Sequence, residues 1–113
     1  MGVEIDKMYI ELPSFILLSV QRALLDEIDP NLRAVKIDWD EENSIIHLHF
    51  YYDNKITDEN NESASCVAGE VAGDFSLNTR VLEHCIHLDF PNELPDHKLV
   101  AYRRKEIFSG NKK

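Results

Sequence analysis

The sequence predicts an α+β domain: a two-layer sandwich in the order α-β-β-α-β-β, with two helices on one face of a four-stranded, mostly antiparallel sheet. Three observations lead there. Two segments carry apolar residues at helical spacing, four short segments are read as strands, and a polar turn of hairpin length joins the first two of those four. With 113 residues, 43% of them hydrophobic and 29% charged, the chain has material for one core and the composition of a folded protein. Residues 1–108 are read as that single domain and 109–113 as a flexible tail.

The first helix is expected over Ser14 to Ile28. Phe15, Leu18, Ala23, Leu25 and Ile28, with Ile16, Leu17, Val20 and Leu24 among them, give it a broad apolar face between Pro13 and Pro30. A hairpin follows. From Arg33 to Trp39, Val35, Ile37 and Trp39 share one face while Ala34, Lys36 and Asp38 share the other. Beyond the turn Asp40-Glu41-Glu42-Asn43, residues Ser44 to Tyr52 set Ile46, Leu48, Phe50 and Tyr52 against Ile45, His47, His49 and Tyr51.

A second helix fits Thr57 to Phe75, capped by Thr57, with Asp58, Glu59 and Glu62 near its positive end. Ala64, Val67, Ala68, Val71 and Phe75 form its apolar stripe; Glu59, Glu62, Glu70, Asp74 and Cys66 fall opposite. The third strand is expected over Val81 to Phe90, with His84, Ile86, Leu88 and Phe90 facing the core and Glu83, Cys85, His87 and Asp89 facing away. Pro91 and Pro95 bracket a loop, and Leu99 to Lys105 closes the sheet. The sheet face without helices is expected to stay partly exposed.

Charge narrows the function. The net charge is −9, but residues 1–97 hold six bases against twenty acids, a net of −14, and residues 98–113 hold six bases against one acid, a net of +5. Such a body repels nucleic acid and anionic membranes and attracts basic proteins. The longest apolar run, Phe15 to Leu18, falls far short of the roughly 20 residues of a membrane span. Glu4, Asp6 and Glu11 put negative charge where an export signal is positive, and Asp6 breaks the myristoylation pattern. The expectation is a cytoplasmic protein with no cofactor, no nucleic-acid partner and no membrane, whose Cys66 and Cys85 are buried free thiols.

No catalytic residue is assigned. The chain lacks a nucleophile elbow, a phosphate-cradling glycine loop and a zinc-protease helix motif, and neither cysteine lies in a nucleophile motif. The turn at Asp38–Glu42 resembles the start of a calcium loop, yet Asn43 and His49 stand where Gly and Glu are required. One metal-like set stands out: His47 and His49 on one strand, Cys85 and His87 on another, donors of the kind zinc prefers. Its bland counterpart is four solvated or packed side chains. Arg103-Arg104-Lys105 reads as a charged edge strand protected from aggregation. The candidate partner-binding residues are Asp40, Glu41 and Glu42 in the turn, Glu59, Glu62, Glu70 and Asp74 on the helix, and Tyr51 as an aromatic anchor, with Trp39 better suited to the core.

The chain also resembles small bacterial toxin-immunity proteins of the contact-dependent growth inhibition type. Asn31-Leu32-Arg33-Ala34-Val35, Glu62-Ser63-Ala64-Ser65-Cys66-Val67-Ala68, Leu88-Asp89-Phe90-Pro91 and Tyr102-Arg103-Arg104-Lys105-Glu106 carry the resemblance, across most of residues 30–106. It implies an immunity protein that neutralises a cognate toxin domain; the acidic charge adds the expectation that this domain is basic, such as a nuclease whose phosphate-holding surface an acidic protein can cover. Two other readings stand beside it. One is a small metal-binding protein or enzyme built on the histidine and cysteine set; the other is a homodimer that buries Ile45 and Tyr51 between subunits.

Overall fold

The computed structural model of the chain describes residues 12–107. The tail expected at 109–113 lies outside them. Two helices and four strands follow in the predicted order: α1 (Leu12–Ala23), β1 (Leu32–Asp40), β2 (Ile45–Tyr52), α2 (Asp58–Gly73), β3 (Arg80–His87) and β4 (Leu99–Arg103).

The hairpin is the predicted one. Val35 lies opposite Phe50 and Ile37 opposite Leu48, so the apolar faces of β1 and β2 coincide. Asp40 shapes the turn by accepting hydrogen bonds from the Asn43 backbone and side-chain amides, and Ser44 closes it at φ 55°. A bulge between Leu32 and Ala34 re-aims the start of β1 around Arg33.

The sheet runs in the order β3-β2-β1-β4. β1 pairs antiparallel with β2 and with β4, but β2 pairs parallel with β3. The expected mostly antiparallel sheet is therefore a mixed one. Helix α2 is the reason: it carries the chain from the end of β2 back to the level of its beginning, so β3 sets out in the same direction.

Helix α1 stops five residues short of Ile28. Asp26 takes a left-handed conformation at φ 70°, which the helix cannot continue through and which Asp tolerates better than most residues. Leu25 and Ile28, expected on the buried face, are consequently exposed. Helix α2 begins at a reciprocal cap. The Asn60 backbone amide donates to Thr57 Oγ1 at 3.0 Å, and the Thr57 amide donates to Asn60 Oδ1 at 3.1 Å. Asn60 is buried and also donates to Asp29 and Asn31, tying the cap to the entrance of β1.

One core lies between the layers. Ile16, Val20 and Leu24 from the α1 region and Ala64, Val67 and Val71 from α2 pack on Val35, Ile37, Leu48 and Phe50. The opposite sheet face is not left open. The segment 88–98 lies over it: Lys36 Nζ donates to Pro95 O at 2.6 Å, and His97 reaches both Asp38 and Tyr51.

Candidate functional site

The covered face holds a stack of imidazoles. Alternation along β2 puts His47, His49 and Tyr51 there, and the parallel register brings His84 beside His49. Asp38 comes from β1, opposite His47. His97 descends from the 88–98 segment onto His49, with ring centres 4.2 Å apart, and His84 stacks on the other neighbours at 5.0 Å from His49 and 5.2 Å from His47.

Hydrogen bonds order the group. His97 Nδ1 is 2.6 Å from Asp38 Oδ2, and His97 Nε2 is 2.6 Å from the Tyr51 hydroxyl. His49 Nε2 lies 3.3 Å from the same Asp38 oxygen, and His47 Nδ1 lies 3.0 Å from His84 Nε2. Burial, reinforced by the charges His97 and His84 can carry, pushes the His49 pKa down to about 4 against the smaller pull of Asp38. Burial works to raise the Asp38 carboxyl, but hydrogen bonds from His97 and the Lys98 amide outweigh it and hold the pKa below the usual carboxylate range. Asp38, His49 and His97 each offer a ligand atom, all within 4.8 Å of one another, which makes them the set able to hold a metal ion among the described residues.

This is not the set expected from sequence. In β3, Cys85 is in register with Phe50 and His87 with Tyr52, so both belong to the helix-facing side, and Cys85 packs against the core. His47 and His49 are therefore joined by His84 and His97, not by Cys85 and His87. Burial, then the charge of Glu83, pushes the Cys85 thiol up, away from nucleophilic use. Both cysteines are free, and Cys66, expected to be buried, is exposed on α2. His84 was hidden by a strand read one face over. His97 lies in a loop, where no periodicity points at anything.

The stretches Asn31–Val35, Leu88–Pro91 and Tyr102–Glu106 meet around one buried cation. Arg33 is 2% exposed. Its guanidinium donates to Glu106 at 2.7 and 3.0 Å, to Leu88 O at 2.7 Å and to Asn92 O at 2.9 Å. Arg104 joins Glu106 to Asp53, and Asp53 accepts the Phe90 amide. Of the basic cluster, Arg103 ends edge strand β4, while Arg104 is drawn into this network.

The candidate partner-binding residues divide. Glu41, Glu42, Glu59, Glu62 and Glu70 are exposed, and none forms an ion pair among the described residues. Asp40 is engaged within its own turn. Asp74, at the end of α2, accepts from Ser19 Oγ at 2.6 Å and from Arg22 at 3.2 Å, fastening the two helices together. Tyr51 is 3% exposed beneath His97 and seven strand positions beyond the turn, so it is neither beside the acidic turn nor open to a partner. The homodimer built on Tyr51 loses its surface for the same reason.

Among the described residues no helix is long and apolar enough to cross a membrane. No curated protein matches the chain. One family does, described as MafI2 immunity protein, and its match runs over residues 13–106, taking in almost the whole of the six elements and all the residues that meet at Arg33. The chain belongs to the MafI2 immunity protein family.

Proposed function

We propose that this protein neutralises a cognate toxin by binding it, without catalysing a reaction, and that the toxin presents a basic surface to the outer face of α2 and the β1–β2 turn. The observation that carries the reading, beyond family membership, is the contrast between paired and unpaired carboxylates. Glu59, Glu62 and Glu70 stand exposed along one helix and Glu41 and Glu42 at the turn, without ion-pair partners among the described residues. Because β2 and β3 set out together at Ile45 and Arg80, the end of α2 returns to the level of that turn, which brings Glu70 to the same end as Glu41 and Glu42.

Carboxylates held on a rigid helix steer a basic partner and reject acidic ones. A toxin that holds phosphates would supply such a surface. The protein would act in the cytoplasm. The test is capture of the partner from cells that make both proteins, on immobilised protein eluted with a rising salt series. A basic protein that is released as salt rises, and kills cells when expressed alone but not with this chain, is the expected result. A toxin that is captured equally well at high salt would overturn the electrostatic docking surface while leaving immunity in place.

A further inference from the structure

The cluster under the 88–98 segment has the makings of more than a hydrogen-bond network. Asp38 comes from β1, His49 from β2 and His97 from the covering segment, so any ion held by all three would fasten that segment to the sheet. Their donor atoms converge: Asp38 Oδ2 is 3.3 Å from His49 Nε2 and 2.6 Å from His97 Nδ1. A tetrahedral ion with bonds of about 2.0–2.1 Å sets neighbouring donors roughly 3.3–3.4 Å apart. The Asp38–His49 pair already has that spacing. His97 must back away by roughly 0.7 Å to reach it, and it stands on a connecting segment, which can yield where a strand cannot.

The groups that would orient these ligands are also in place. The Asp38 atom not aimed at the cluster, Oδ1, accepts the Lys98 amide at 3.0 Å, and the far nitrogen of His97 meets the Tyr51 hydroxyl at 2.6 Å. Such outer partners fix ring orientation and tautomer in metal sites. Two imidazoles and one carboxylate suit zinc and its transition-metal neighbours better than calcium or magnesium, which take mainly oxygen. We propose that Asp38, His49 and His97 bind one zinc ion, with water completing the coordination, and that the ion clamps the 88–98 segment onto the sheet. Binding the metal through His97 Nδ1 requires the neutral tautomer whose single ring hydrogen sits on Nε2, so the hydrogen that Nδ1 shares with Asp38 leaves to solvent, one is taken up at Nε2, and Nε2 then donates to the Tyr51 hydroxyl. The site is independent of the toxin reading.

Tag-free protein, dialysed against chelator and then titrated calorimetrically with Zn²⁺ at pH 7, tests it. One equivalent should bind and raise the melting temperature. Asp38→Asn, His49→Ala and His97→Ala should each weaken binding at least tenfold, while His87→Ala, on the other side of β3, should bind as the parent does. No binding by the parent overturns the site, and so does equal weakening by His87→Ala or full binding by the His49→Ala, His97→Ala pair. Should Asp38→Asn fail to fold, Co²⁺ absorption decides: tetrahedral bands in the parent that vanish in His97→Ala support the site, and their persistence overturns it.

Discussion

The outer face of α2 and the surroundings of the covered sheet face use the same residue types to opposite ends. On the helix, Glu59, Glu62 and Glu70 project into solvent. Around the covered face, Asp38 is held by His97 and the Lys98 amide, Asp53 by Arg104, and Glu106 by Arg33 and Arg104. The net charge of −9 is therefore not spread evenly over what a partner meets. Carboxylates beside the sheet are tied into the fold, fixing a long connection that has no helix or strand of its own. Those on the helix contribute almost nothing to the fold, and a partner's cations can take them without breaking anything.

The comparison is broken most severely at Arg33. Replacing it with Met should cost about 3–5 kcal/mol, because the largely buried Glu106 would keep only Arg104 as a donor and the carbonyls of Leu88 and Asn92 would lose theirs. Urea unfolding measures the loss. A cost below about 1 kcal/mol would mean that the network behaves like surface pairing and that the two regions do not differ as argued.

Acid attacks the same network from its other partner. The hydrogen bond from Arg33 comes first among the causes that hold the Glu106 carboxyl below its ordinary 4.5, ahead of the opposing effect of burial, with Arg104 adding to it. Arg104 likewise holds Asp53 down. With a depressed folded pKa, the stabilisation is fully present above the unfolded value and is lost as pH falls through the folded one. Urea midpoints should therefore fall as pH drops below about 4.5, and Glu106→Gln, less stable at neutral pH, should show a shallower fall. An unchanged slope in that variant would assign the acid sensitivity elsewhere.

Asp74 sharpens the contrast from within the acidic set. By sequence it belongs with Glu70 on the polar side of α2, yet it caps the helix and accepts from Ser19 and Arg22 of α1. Ser19 is 3% exposed, so Ser19→Ala should cost about 1 kcal/mol for the lost hydrogen bond. Thermal unfolding of that variant beside Glu70→Gln should separate a structural carboxylate from a free one.

Why some of this was legible and some not comes down to periodicity. The β1–β2 hairpin and the Thr57 cap were legible because alternation and capping are local, and Asp38, His47 and His49 were placed correctly on one face for that reason. β3 was not, because both its faces carry apolar residues: Val81 and Cys85 pack toward the helices, while the other face carries Leu82, His84 and Ile86. Alternation then gives no parity, and Leu88 and Phe90, which biased the reading, belong to the following segment and not to the strand. The parallel pairing was implicit in a strand, a helix of 16 residues and a strand, but only if the helix is treated as a crossover. His97 meets Asp38 across 59 residues, and no local pattern reports that.

The smallest expected effect on the fold is the one that tests its purpose. Glu59, Glu62 and Glu70 are exposed, so changing all three to Gln should move stability by no more than about 0.5 kcal/mol per site. If these carboxylates exist for a partner, the same triple variant should bind the toxin several-fold more weakly at low ionic strength. The difference should shrink toward zero as salt shortens the Debye length to a few ångströms. Association rates should carry most of the loss, because rim charges act chiefly on encounter. A variant that is equally stable and equally tight-binding at every salt concentration would leave the helix acids as ordinary solvated residues, and would shift attention to the turn at Glu41 and Glu42.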